Sequence, residues 1–346
     1  MNSERPLVSI LMIVRDRVEL VGRSLDSLIA QTYRPIEIVV VDGGSTDGTW
    51  EILQAYGQRH GWLHLHQLPG ATIEEARNKS LELASGEFLA IADSDDLFHV
   101  DKLERQVAFL VRHPDYGVCA SWVVMYGGSN TRVIRCATSD EAIRAELLFR
   151  SPLAHSSVLL RAAVLRQNGI RYRMDIAEDY DLWTRLSAVT RIGALPEVLV
   201  YYREHKGQVS GHAMRDGRML ARTRGIQKEV LEKAGVPFTE RELDVHQSIC
   251  GLAPILLRPS FPEANAWLFK LRDFNREARV WNEGAFLLTL SHYAFRAWRQ
   301  AGAVSNARRY LQSPLSHGGR YALGHSLEVL RHLAQDRLSS GSILRL

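Results

Sequence analysis

The stretch EFLAIADSDDLF, residues 87–98, sets the terms for the whole chain. Phe88–Ala92 is a short apolar run suited to a buried strand, and Asp93, Asp95 and Asp96 follow within four positions. Like charges this close repel, and burying them unpaired is costly or shifts their pKa values. A core strand that runs into three carboxylates makes sense if something at its end takes up that charge.

The residues upstream repeat the pattern of a strand followed by a helix. Val8–Val14 (VSILMIV) is a near-continuous apolar run, as expected for a strand covered on both faces. Val21, Leu25, Leu28 and Ile29 then recur at helical spacing. Ile36–Val41 reads as a second strand that runs into DGGSTDGT. A helix with Trp50, Leu53 and Tyr56 inward comes next, then a weaker strand at 64–68. Thr72 and Glu75 form a capping-box pattern opening a helix to about Ala84. Strands separated by helical lengths imply βαβ units and a mostly parallel sheet flanked by helices. Further on, strands are expected near 117–125 and 156–160, and helices near 101–112, 140–149 and 178–188. Beyond Val209 four stretches carry helical spacing. The division expected is residues 1–212 as one α/β domain and 213–346 as a helical C-terminal extension.

At 346 residues, 46% hydrophobic and 24% charged, the composition is that of an ordinary globular chain. No segment approaches the roughly 18–20 uninterrupted apolar residues of a membrane span. The first residues lack the pattern of a secretory signal. Three scattered cysteines, Cys119, Cys136 and Cys250, without CxxC, point to reduced thiols and a cytoplasmic location. The net charge is +4, yet eight arginines fall between Ser291 and Leu346 against only Glu328 and Asp336. Such a tail suits an anionic lipid surface, nucleic acid or an acidic partner, and equally a solvated helical face.

In an open parallel sheet, ligands bind beyond the carboxyl ends of the strands. Two strands here end in unusual chemistry on that side, Val41 into Asp42-Gly43-Gly44-Ser45 and Ala92 into Asp93-Ser94-Asp95-Asp96. Asp42 could accept a hydrogen bond from a base or sugar. The glycine loop matches neither GxxxxGK[ST] nor GxGxxG, and taken alone it reads as readily as a turn in which Ser45 or Asp47 caps the next helix. Asp96 alone could likewise cap a helix opening near Val100. The aspartate cluster also suits a hard divalent cation, Mn²⁺ or Mg²⁺, which prefers oxygen ligands and completes its shell with phosphate and water. His64 and His66 share a strand face without an evident third ligand, and read as strand-surface residues.

VSILMIVRDR…LDSLIAQTY…IEIVVVDGGSTDGT…EEARNKSLELASGEFLAIADSDD resembles the N-terminal half of a family 2 glycosyltransferase of the GT-A fold, over roughly residues 7–210. That resemblance implies a cytoplasmic enzyme, sited if need be at the inner face of the membrane. It would transfer one sugar, with inversion, from a nucleoside diphosphate sugar (a UDP-sugar favoured) to a hydroxyl of a growing surface glycan or lipid-linked oligosaccharide. It implies nucleotide contacts at Asp42, Arg77, Asn78 and Asp93, and metal ligation by Asp95, with Asp96 in support. The segment Ala177–Trp183 (AEDYDLW) matches the part of the family that supplies the catalytic base, here Asp179 beside Glu178. With Leu182, Leu186 and Val189 on an inner helical face, Asp179 falls in the first turn. Tyr201–His205 (YYREH) resembles a later segment whose histidine, His205, completes the metal site or touches the diphosphate.

The chain departs from the common pattern at Gly43, where many members carry a second Asp, and at Val14–Arg17, where Arg15 and Arg17 offer added charge to a diphosphate. No QxxRW-type segment of processive synthases is present, which agrees with single transfer. Two other readings fit parts of the pattern, a sugar nucleotidyltransferase and a non-catalytic nucleotide-sugar-binding scaffold. The first lacks its glycine-rich loop here, and an intact aspartate cluster with Glu178, Asp179 and His205 opposes the second. Nucleic acid is not an expected partner. The extension is expected to serve the acceptor, a membrane or a homo-oligomer.

Overall fold

The computed structural model describes residues 5–128, 130–205, 207–251, 259–301, 306 and 310–317. The chain divides into two compact units, Met1–Ile143 with Ser151–Met219 and Arg144–Arg150 with Leu220–Leu346.

The first unit begins with β1 (Val8–Val14), α1 (Val21–Ile29), β2 (Ile36–Asp42), α2 (Thr49–Arg59), β3 (Leu63–Gln67), α3 (Ile73–Leu83) and β4 (Phe88–Asp93). It continues through β5 (Leu97–Phe98), α4 (Lys102–Arg112), β6 (Tyr116–Tyr126), β7 (Arg132–Ile134), the start of α5 (Asp140–Leu147, which belongs to the second unit from Arg144 on), β8 (Leu159–Arg161), α6 (Ala162–Gln167), α7 (Glu178–Leu186), β9 (Arg191–Arg203) and α8 (Val209–Arg215). The sheet order is β3-β2-β1-β4-β8-β6-β9-β5, with β7 on β6. The expected helix stripe is real: Val21, Leu25 and Leu28 of α1 are buried. Thr72 and Glu75 close both bonds of the capping box at α3.

The expectation of a mostly parallel sheet holds for β3-β2-β1-β4, and the remainder is mixed. β6 pairs parallel with β9, whereas β8 runs antiparallel to both β4 and β6. In the parallel half Val14 pairs with Asp42 and Ile13 with Asp93, so both aspartates end on one rim.

Several local expectations shift. The longest strand of the sheet, β9, is interrupted in sequence by Pro196, which cannot donate to a ladder. The strand survives because the pairing jumps from Leu195–Ser121 to Val198–Trp122, a bulge that leaves Pro196 and Glu197 unpaired. α7 stops at Leu186, so Val189 lies beyond the helix and is exposed rather than on its inner face. α4 opens at Lys102 after Asp101, and Asp96 is buried instead of capping it. His155–Ser157 is a 3₁₀ turn, with the β8 strand starting later at Leu159. His64 is exposed on edge strand β3 and faces Glu37 at 3.6 Å.

The second unit is helical: α9 (Arg218–Ala234), α10 (Glu240–Ile249), α11 (Phe261–Ala278) and α12 (Glu283–Ala301). Capping boxes at Thr239/Glu242 and Ser260/Glu263 start α10 and α11. Leu231, Leu243, Leu268, Leu271, Phe286 and Leu290 form its core. Of the basic C-terminal run only Arg296 and Arg299 fall among the described residues; the other six arginines lie outside them.

At the centre of this core, His246 is fully buried, stacked on Phe149 at 4.8 Å. Its Nδ1 accepts from the Trp267 indole N–H at 3.1 Å, so Nε2 carries the proton and donates to the Leu148 carbonyl at 2.9 Å. Burial pushes its pKa from 6.5 down to about 4. The unfolded chain therefore takes up the proton first as pH falls. Stability is full above pH 6.5, declines between 6.5 and about 4, and the loss approaches about 3 kcal/mol. Denaturant titrations followed by tryptophan fluorescence at pH 7.5 and 4.5 should show that decline in the wild type and a flatter dependence in His246→Gln. An equal decline in both would remove His246 as its source.

Candidate active site

Three aspartates crowd the end of β4, and the fold gives each a different environment. The Arg77 guanidinium of α3 donates to Asp93 at 2.7 Å, and His155 Nδ1 lies 3.8 Å from the same oxygen. Enclosure by protein raises the Asp93 pKa, but the Arg77 charge and His155 outweigh it and hold the carboxyl well below the usual range. Asp95 meets the His205 imidazole at 2.8 Å. Asp96 is buried; its carboxylate accepts from the Ser156 hydroxyl at 2.5 Å and the Arg203 backbone N–H at 3.0 Å. Burial, then the neighbouring Asp93 and Asp95 charges, drives its pKa well upward. The crowding is thus resolved residue by residue, with a cation beside Asp93, an imidazole beside Asp95, and two donors and a raised pKa at Asp96.

Arg77 carries the clearest sign of an absent ligand. It is 6% exposed, yet its Nε and Nη1 have no hydrogen-bond partner among the described residues. A buried guanidinium with two unpartnered nitrogens, three N–H groups between them, is expensive unless an acceptor arrives.

The β2 loop completes the rim. Asp42 is fully buried and its carboxylate accepts from the Ser45 N–H at 3.1 Å, the Ser45 hydroxyl and, at 3.4 Å, Gln67 Nε2. Its oxygens bond Ser45 of the loop and Gln67 at the end of β3, which ties the rim together from within. Gly44 holds a left-handed φ of +89°, and a Cβ there would press on Pro69 at 3.1 Å. Gly43 has room: a Cβ would meet the exposed Arg15 side chain at an ordinary 3.5 Å. Arg15 therefore lies over Gly43, the position where the chain departs from the family pattern it resembles. Asp47, not Ser45, serves the next helix, accepting from the Thr49 N–H at 3.0 Å.

The first turn of α7 presents Glu178 and Asp179. Ala177, just before it, has φ +57°, a left-handed conformation that a non-glycine residue adopts only when its surroundings hold it there. Asp179 accepts from the Ser151 hydroxyl at 2.9 Å. Glu178 is largely enclosed. That burial and the adjoining Asp179 raise its pKa, while His155 and Arg77 oppose the rise, which places the turn within electrostatic reach of the Arg77–His155 group.

One expected nucleotide contact is used elsewhere. The Asn78 amide donates to the Tyr172 carbonyl and accepts from the Tyr172 N–H, both at 2.9 Å, so it faces the protein and not the rim. Conversely, His155, Tyr172 and Ser151 were not singled out from sequence. The signal available was AHSSVLL, a polar cluster before an apolar strand. Because β8 runs antiparallel to β4, its beginning lies at the end of β4, and His155 and Ser156 arrive beside the aspartates.

The fold is a GT-A sheet with a charged rim beyond β2 and β4. Its structure resembles that of Staphylococcus aureus TarS 1–349 in complex with UDP-GlcNAc, with TM-score 0.56 and 21% identity, covering 96% of this chain and 92% of that one. Residues 9–156 match the family model Glycosyl transferase family 2. EpsE of Bacillus subtilis (strain 168), a glycosyltransferase by name, is 30% identical over 192 residues, 54% of this chain and 68% of EpsE. The Escherichia coli UDP-Glc:alpha-D-GlcNAc-diphosphoundecaprenol beta-1,3-glucosyltransferase WfaP is 27% identical over 235 residues, 66% of this chain and 88% of WfaP. The chain belongs to glycosyl transferase family 2.

Proposed function

We propose that the protein transfers a single sugar, with inversion, from a UDP-linked donor to a hydroxyl of a growing glycan or lipid-linked oligosaccharide. The carrying observation is the buried, half-used Arg77 guanidinium beside Asp93 on the rim. Its unpartnered Nε and Nη1 donors suit the nucleotide's acceptor atoms, and Asp93, held ionised, suits a ribose hydroxyl. The acceptor class draws support from the lipid-linked substrate in the name of WfaP. Among the described residues no helix is long and apolar enough to cross a membrane.

Asp95 and His205 together offer one carboxylate and one imidazole, and no group of three or more metal-ligating side chains exists among the described residues. Such a pair fits Mn²⁺ or Mg²⁺ that fills its shell with diphosphate oxygens and water. Bound there, the ion supplies charge to offset that developing on the leaving diphosphate. Arg15 and Arg17 add positive charge near the loop. Asp179 takes the acceptor hydroxyl proton as that oxygen forms its bond to the anomeric carbon and the carbon–phosphate oxygen bond breaks on the opposite face. One displacement with one base leaves no covalent sugar intermediate and inverts the centre.

A thermal-shift panel of UDP, GDP, CDP and dTDP with and without Mn²⁺ tests the donor site. UDP should give the largest Mn²⁺-dependent rise; saturation to 100 times Kd stabilises by about 2.7 kcal/mol. Asp95→Ala should remove the Mn²⁺-dependent part while leaving the metal-free shift. A full Mn²⁺-dependent shift in Asp95→Ala would refute the metal role. No shift from any nucleotide would refute the donor site and favour a non-catalytic scaffold.

A further inference from the structure

The segment between α6 and α7, residues 168–177, carries the chain into the turn that bears Asp179, and it is tied to α3 along one helical turn. The Glu74 backbone N–H donates to Asp175 Oδ1 at 2.7 Å. Asn78 grips Tyr172 by both its N–H and its carbonyl, as a neighbouring strand would. The Tyr172 hydroxyl, in turn, lies 2.8 Å from His155 Nε2, and His155 borders Asp93 on its other nitrogen. Arg77, one residue before Asn78, makes the remaining contact to Asp93.

We propose that Asn78 is a positioning residue for catalysis: it brackets the 172–177 segment onto α3, so that the helix whose Arg77 meets the donor also sets where Asp179 stands. This rests on the reading of Asp179 as the base. The chemistry of the side chain argues for it. Only an amide presents a donor and an acceptor in one plane, matching the N–H and C=O of a single residue. Aspartate keeps the acceptor and loses the donor; alanine loses both. The bracket also accounts for Ala177. A left-handed alanine is strained and persists only where flanking bonds over-determine the backbone, and the bonds at Tyr172 and Asp175 are such bonds. A bracket between donor helix and base segment matters because a displacement of about 1 Å at the reacting groups costs roughly 10²-fold in rate.

The test compares the full-length wild type with Asn78→Ala and Asn78→Asp by three readouts. Amide exchange by mass spectrometry follows residues 170–181, calorimetry gives UDP affinity with Mn²⁺, and UDP release from UDP-glucose and UDP-GlcNAc, with water as acceptor, gives kcat and KM. In Asn78→Ala, exchange across 170–181 should rise at least tenfold, and kcat should fall by about 10²-fold with KM and the UDP Kd within about twofold. Asn78→Asp should lie between it and the wild type in both readouts. A purely structural role would lower the melting temperature and leave kcat per folded molecule unchanged, which overturns the proposal. UDP affinity lost with kcat kept would make Asn78 a nucleotide contact instead. Unchanged exchange at 170–181 would mean that the bracket does not hold the segment, whatever the kinetics. An Asp179→Asn control separates the two readings. If it turned over donor like the wild type, the base assignment would fall, while exchange and affinity would still judge Asn78.

Discussion

Asp179→Asn should lose about 10²–10⁴-fold in turnover, the range typical of a positioned general base, while binding UDP as the wild type does. Asparagine has nearly the same shape. Its carbonyl oxygen can still accept from the Ser151 hydroxyl, so the first turn of α7 keeps its local bond. What disappears is the ability to take a proton from the attacking hydroxyl. Glu178, one residue before it, has its pKa raised by burial and by the adjoining Asp179 charge, against the opposing pull of His155 and Arg77. The donor-side groups, Arg77 on α3 and Asp93 on β4, belong to other elements, so nucleotide affinity should stay level. UDP release under saturating donor and UDP calorimetry on the same preparation measure both sides. Wild-type turnover in the variant would show that Asp179 is not the base; joint loss of turnover and UDP binding would show a collapsed site.

The largest effect on stability is expected two residues on. Asp181, inside α7, is fully buried, and its carboxylate accepts from Arg173 Nε at 2.6 Å and from Arg185 Nε and Nη2 at 3.0 and 2.6 Å. Arg185 also donates to the Arg171 carbonyl, which ties the segment before α7 to the helix itself. Alanine at 181 leaves the mostly buried Arg185 guanidinium without its counter-charge, whereas the half-exposed Arg173 can turn to water. Removing one member of a buried pair costs about 3–5 kcal/mol, because the surviving charge stays desolvated. Denaturant midpoints with and without UDP should show this loss in Asp181→Ala and a smaller one in Asp181→Asn. A change under about 1 kcal/mol would mean that water already screens the pair.

Much of the frame was legible because it is local. The apolar runs at 8–14, 36–41 and 88–92 can be buried only as strands covered on both faces. The Thr72–Glu75 box closes within four residues, so no distant partner is needed to recognise it. Parallel pairing of β1, β2 and β4 then obliges Asp42 and Asp93 to share a rim. What the local pattern missed depended on what lies outside it. Pro196 concealed β9, since the bulge that tolerates it depends on a partner strand far away in sequence. Val189 kept helical spacing from Leu182 and Leu186 after the helix itself had ended.

The sequence by itself determined which residues carry the charge at the rim, because residue type and spacing are properties of the chain alone. It could not determine their partners. Strand direction, not composition, carries His155 and Ser156 to Asp93 and Asp96, and the length of β9 brings His205 to Asp95. Asn78 shows the same limit from the other side. The family resemblance implies a nucleotide contact there, and only the fold reveals that its amide bonds to Tyr172. Hydrogen bonds are made between groups brought together in space, so a side chain's role follows from what the tertiary structure sets within 3 Å of it.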